Sequence, residues 1–91
     1  MNLRDKIGAW VSELGFDTVL LADGMDKALI GITHKGVAVY DVNKCINVLI
    51  ESNQWTEEEA CEWMDFNVVD AYVGEQTPIY IHSLPAEGST T

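Results

Sequence analysis

Basic residues are scarce in this chain. Five lysines and arginines stand against fifteen aspartates and glutamates, a formal net charge of −10 over 91 residues. Such a surface repels the phosphates of nucleic acids and anionic lipids, so direct DNA or RNA binding is not expected. Long apolar runs are missing as well: none approaches the ~18 residues that a membrane span needs. The opening stretch, "MNLRDKIGAW", carries charges where a signal peptide has its apolar centre. A soluble protein of the cytoplasm is the expectation. Cys45 and Cys61 lie too far apart for a CxxC clip, and His34 and His82 each stand alone, so no zinc set forms. Both cysteines fall at helical positions beside apolar neighbours and read as buried free thiols.

Catalytic signals are equally thin. A nucleophile needs a base within reach and a group that orients the base. Ser12, Ser52 and Ser83 lack the glycine context of a nucleophile elbow, and His34 reads as a solvated turn residue beside Lys35. Glycines 24, 31 and 36 make neither a P-loop nor a GxGxxG run. Asp23, Asp26, Asp41 and Asp65 are oxygen donors in type, but "DGMD" lacks the ligand spacing of an EF-hand. Asp23 and Asp26 read more simply as turn and strand-entry residues. No enzyme activity, cofactor or metal is expected.

What the chain does have is a core's worth of apolar residues, 47% of the total. Its length is that of one domain, expected over residues 1–83, with 84–91 ("LPAEGSTT" from Leu84) as a disordered tail. Leu3, Ile7, Trp10, Val11 and Leu14 follow helical spacing, with Asn2 as N-cap, Gly15 as the terminating glycine and Trp10 as the bulkiest anchor. "TVLLA" (18–22) is a short apolar run that reads as a doubtful strand before the Asp23-Gly24 turn. "ALIGI" and "VAVY", parted by "THKG", predict a β-hairpin. Gly31 within the first of these strands suggests a close approach by another backbone or helix.

Asp41 predicts the N-cap of a second helix with Val42, Cys45, Ile46, Leu49 and Ile50 inward, and "ESNQ" stops it. Thr56 and Glu59 have capping-box spacing, and Trp55 and Ala60 that of a hydrophobic staple, for a third helix. Ala60, Trp63 and Met64 read as its buried side, with Phe66 or Asn67 on the next turn. The helix either ends near there or runs on to Gly74. Thr77-Pro78 breaks regularity and "IYIHS" reads as the last strand. The expected fold class is α+β: a small three- to four-stranded sheet with three helices packed mainly on one face.

Four pieces in order, "LADGMDKALIGI", "VAVYDVNKCINVLI", "WTEEEACEWMDFN" and "AYVGEQTPIYI", resemble a widespread set of small bacteriophage and prophage proteins with no agreed activity. The likeness covers roughly residues 19–81. The chain departs from that pattern at Met25 and Trp63, and at Asp70, where a glycine is common. The resemblance implies a phage origin and action inside a bacterial cell. It implies no reaction.

Three functions follow as expectations. The first is a non-enzymatic protein that binds a basic surface on a host bacterial protein, inhibiting a nucleic-acid-binding or defence factor. Its partner-binding residues would be Trp55, Glu57, Glu58, Glu62 and Asp65. The second is a small-molecule or nucleotide sponge with ligand-binding residues Asp23, Asn67, Tyr72 and Glu75. The third is a homo-oligomerisation module built on the apolar stripe of the first helix.

Overall fold

The computed structural model describes residues 2–66 and 74–84. Helix α1 spans Leu3–Glu13. The Asn2 side chain caps it by accepting the Asp5 N–H at 2.8 Å. Its far end closes with paired backbone bonds, Gly15 N–H to the Ser12 carbonyl and Phe16 N–H to the Val11 carbonyl. This closure needs a left-handed residue, and Gly15 supplies it with φ +90. Only Ile7 and Val11 of the helix are buried. Trp10 is not the expected anchor: it is 39% exposed, and Leu3 and Leu14 are exposed with it. A helical stripe is covered only where something packs against it, and α1 meets the rest of the molecule mainly through the short 3-10 turn Asp26–Ala28.

The expected strand at 18–22 does not form. Those residues run without regular structure, although Val19, Leu21 and Ala22 pack against the core. The predicted hairpin is present as β1 (Leu29–Ile32) and β2 (Ala38–Asp41), paired antiparallel. Thr33 organises the turn: its N–H donates to the Val37 carbonyl, and its hydroxyl oxygen accepts the Val37 N–H. Gly36, at φ +86, completes the turn under the Phe16 ring, where a Cβ would lie 3.0 Å from Phe16 Cδ1. The chain just past α1 therefore sits on the hairpin tip. Register shifts between Leu29 and Gly31, so Ile30 is the extra residue of a bulge. Open space lies beyond Gly31 where a Cβ would go, so the close approach expected there is absent; the bulge accounts for the glycine's setting instead.

Strand β3 (Ile79–Ile81) pairs parallel with β2, giving the order β1-β2-β3 with β2 central. A parallel neighbour needs a crossover, and helices α2 (Val42–Asn53) and α3 (Glu57–Met64) lie within it. The result is the expected α+β class, with three helices and a three-stranded mixed sheet among the described residues. Among the described residues no helix is long and apolar enough to cross a membrane. Asp41 begins α2 by accepting the Lys44 N–H at 2.9 Å. Its other oxygen accepts the Ser83 N–H at 3.3 Å, which ties the start of α2 to the chain leaving β3. The helix runs on through Glu51, Ser52 and Asn53, and Gln54 ends it in the left-handed region at φ 57.

The core gathers Met25, Ala28, Ala38, Tyr40, Cys45, Leu49, Ala60 and Met64. Cys45 is buried as expected, whereas Cys61 is only half-buried. Tyr40 is the largest fully buried side chain. Its hydroxyl oxygen accepts the Ala22 N–H at 2.8 Å, and its ring stacks on Tyr80 of β3 with centroids 5.5 Å apart. Burial raises the Tyr40 phenol above its ordinary value, pushes Tyr80 up to about 12 and pushes the Cys45 thiol up to about 11. All three groups are neutral in the folded protein at physiological pH.

Tyr40→Phe removes the acceptor of the Ala22 N–H while keeping the ring. A loss of about 1–3 kcal/mol is expected in urea unfolding, the cost of a buried unpaired donor. Alkali should act in a defined window. The raised Tyr80 pKa contributes stability that is complete below the ordinary 10.0 and is lost as pH rises through about 12. The urea midpoint of the native chain should therefore fall across that window.

Candidate functional site

Helix α3 begins at a complete capping box. The Thr56 hydroxyl oxygen accepts the Glu59 N–H at 3.2 Å, and Glu59 Oε1 accepts the Thr56 N–H at 3.0 Å. Glu57, Glu58 and Glu59 fill the first turn, where the positive end of the helix dipole favours carboxylates. Ala60 and Met64 are buried against α2 and the sheet. One turn apart on the outer side, Glu58, Glu62 and Asp65 face solvent, and Glu57 is also exposed. Of the four acidic residues expected to bind a partner, Glu57, Glu58 and Glu62 stand on this short, well-started helix and Asp65 caps its far end.

The aromatic residues around this helix depart from expectation. Phe66 is 82% exposed and does not join the core. Trp63 is half-buried, at the margin of the core cluster. The cause is helical phase. Ala60 and Met64 point to the core, while Glu59, Glu62 and Trp63 share the adjacent flank at i, i+3 and i+4; Phe66 follows in a π-helical turn just past the end of α3. Trp55, the residue before the N-cap, folds back onto the same flank. Its ring centroid lies 6.4 Å from that of Trp63, with the planes inclined by 46°. Trp55, Glu59, Glu62, Trp63 and Phe66 together line a hollow of about 290 Å³. The capping box therefore does two things: it starts the helix, and it fixes the Glu59 carboxylate at the rim of an aromatic recess.

Charge is unevenly distributed along the sequence. No lysine or arginine follows Lys44 in the sequence, while ten of the fifteen acids lie after residue 40. Four of the five bases, Arg4, Lys6, Lys27 and Lys35, fall on α1, the 3-10 turn and the hairpin tip. Aromatic faces beside carboxylates attract cations, by the ring quadrupole and by Coulomb attraction. Trp63, Phe66 and Glu59 were not among the sequence-derived site residues. Trp63 and Phe66 read from the sequence as part of the buried side, and Glu59 as the capping-box partner of Thr56, so neither spacing pointed to a site.

The residues expected to bind a small ligand are placed differently. Asp23 is fully exposed in its turn, 3.7 Å from Arg4 Nη2. Arg4 Nε makes the shorter contact, 3.0 Å to Asp26 Oδ2, and so joins α1 to the entry of β1. Glu75 lines a separate hollow of about 500 Å³ with Leu20, Lys35, Val37 and Gln76. Asp23 does not line that hollow. Asn67 and Tyr72 lie outside the described residues, as do Asp70, the expected extension of α3 to Gly74 and the tail from residue 85. Both histidines are exposed. Among the described residues no three His, Cys, Asp or Glu side chains gather as a metal set.

The fold resets the acidity of Asp41. Its burial works against ionisation, but hydrogen bonds from Ser83 and from the Lys44 N–H prevail and hold its pKa below the ordinary 3.8. Its stabilising contribution is complete above that value and is lost as pH falls through the lower folded value. The acids on α3 have a different task, because they face water.

Thr56→Ala tests how far the recess depends on the helix start. Loss of the cap is expected to cost about 1 kcal/mol in urea unfolding. It should also release Glu59, so the indole resonances of Trp55 and Trp63 should shift in NMR spectra of the folded variant. Comparison with protein-family models, curated proteins and solved structures finds no match to the chain.

Proposed function

We propose that the chain is a non-enzymatic binding protein whose α3 flank docks on a basic surface of a host bacterial protein. That basic surface is one that serves nucleic acid in the host, or belongs to a defence factor, and its occupation inhibits the host protein. The observation that carries this reading is the segregation of charge. The chain after Lys44 has no base of its own to neutralise the exposed carboxylates of α3. Glu57, Glu58, Glu62 and Asp65 supply the steering field, and Trp55 stands beside them as an aromatic anchor. Steering of this kind speeds encounter and weakens as salt shortens the range of the field. The resemblance to small phage proteins supports the same setting, the cytoplasm of an infected bacterium.

A pull-down from bacterial lysate tests it, using the native chain beside a Glu58→Lys, Glu62→Lys variant at low and moderate salt. Both positions are exposed, so the variant is expected to fold with unchanged circular dichroism. A partner retained by the native chain, weakened by salt and lost in the variant is the expected outcome. Equal capture by both chains contradicts the reading.

A separate observation favours self-association through α1. Leu3, Trp10 and Leu14 are 42%, 39% and 48% exposed on one helix. With Ile7, Leu29, Ile30 and Gly31, Leu3 and Trp10 line a shallow groove between α1 and β1. Trp10→Lys separates this reading from the first. If α1 pairs between chains, sedimentation at high protein concentration shows a dimer for the native chain and a monomer for the variant. A native monomer under those conditions removes the second reading and leaves the first untouched.

A further inference from the structure

The aromatic recess on the α3 flank has a chemistry narrower than acidity. Glu57, Glu58 and Asp65 are exposed and lie outside the recess. Inside it, three aromatic rings from Trp55, Trp63 and Phe66 stand with two carboxylates, Glu59 and Glu62. The two indoles are inclined by 46°, so they present two differently oriented ring planes to one space. One carboxylate is held in place, because Glu59 Oε1 is engaged by the Thr56 N–H at 3.0 Å. A carboxylate oxygen has a second lone pair, and the group has a second oxygen, so Glu59 keeps acceptor capacity for an incoming donor. Glu62 is exposed at the same rim. No lysine or arginine follows Lys44 in the sequence to occupy the recess from its own half of the chain.

We propose that the recess formed by Trp55, Trp63, Phe66, Glu59 and Glu62 seats an arginine side chain of the partner protein. The inference rests on the docking reading above and names the group that reading leaves open. Arginine fits better than lysine for physical reasons. Its guanidinium is planar and stacks on an aromatic face, and its fork of N–H donors matches a carboxylate. It is also more weakly hydrated than an ammonium, so entering a recess walled by rings costs it less. The exposed Phe66 ring covers the aliphatic stem of the side chain once the guanidinium lies against the indoles. The Phe66 ring is 82% exposed and outside the core, so it is available to such a stem.

The test uses the full chain and a short fluorescent peptide of alternating arginine and glycine. Counterparts carry lysine, or the neutral isostere citrulline, in place of arginine. Binding is read by anisotropy at one fixed salt concentration. Phe66→Leu keeps every charge and alters an exposed position, so it is expected to fold. Glu58→Gln removes a charge outside the recess and serves as the control. The arginine peptide is expected to bind roughly threefold or more tighter than the lysine peptide, with citrulline far weaker. Phe66→Leu should reduce the arginine peptide's affinity by about the same factor and narrow the gap to lysine. Glu58→Gln should weaken both cationic peptides alike. Equal binding of arginine and lysine peptides, unchanged by Phe66→Leu, overturns the arginine seat and leaves docking by charge intact. Failure of every cationic peptide to bind overturns the seat and counts against the docking reading as well.

Discussion

Tyr40 is the residue on which the arrangement of the molecule depends. It sits on the central strand, fully buried, with its hydroxyl oxygen accepting the Ala22 N–H and its ring stacked on Tyr80. Those two contacts join pieces far apart in sequence. The first holds the irregular run 18–22 against the core, in place of strand pairing. The second holds β3 against β2 after the chain has passed through α2 and α3. A buried phenol must keep a hydrogen-bond partner or carry the cost of an unpaired group. The packing around it is therefore specific, and with it the path of the crossover.

That path decides where the acidic helix stands. Asp41, beside Tyr40, caps α2 and also accepts from Ser83 beyond β3, so the start of the crossover and the chain leaving β3 are fastened at one carboxylate. Ala60 and Met64 then seat α3 on the core, and its phase is set. Glu58, Glu62 and Asp65 are carried to the solvent side, and Trp63 and Phe66 to the flank where Trp55 returns. The charge pattern follows the same division. Four of the five bases lie on α1, the 3-10 turn and the hairpin tip, the fifth, Lys44, lies on α2, and no lysine or arginine follows it in the sequence. A field of one sign over an aromatic recess suits recognition of a cationic surface, and it needs no catalytic group.

Much of this architecture was legible in the residues because its determinants are local. Asn2, Asp41 and the Thr56–Glu59 pair announce helix starts by side-chain reach alone, and all three caps form. Thr33 to Gly36 announces a hairpin turn in the same way. Burial is a different matter, since it depends on what arrives from elsewhere in the chain. Trp10 has the spacing of a core residue, but little packs over that part of α1. Residues 18–22 have strand composition, but among the described residues they pair with no strand and are held instead by the bond from Ala22 N–H to the Tyr40 hydroxyl and by Gln76 donating to the Thr18 carbonyl. Phe66 looks apolar enough for the core and lies one flank away from it, because helix phase is fixed by Ala60 and Met64. The acids of the candidate site were readable as a cluster. The recess was not, because it depends on Trp55 folding back across the cap.

The proposal that recognition is concentrated on the α3 flank is open to a two-dimensional NMR titration of the isotope-labelled full chain with an arginine-rich peptide. Shifts are expected to centre on the indole N–H groups of Trp55 and Trp63, the Phe66 ring and the backbone of Glu59 and Glu62, with Trp10 unmoved. Shifts centred on Trp10 and the α1 groove, or spread evenly over every exposed acid, would contradict it.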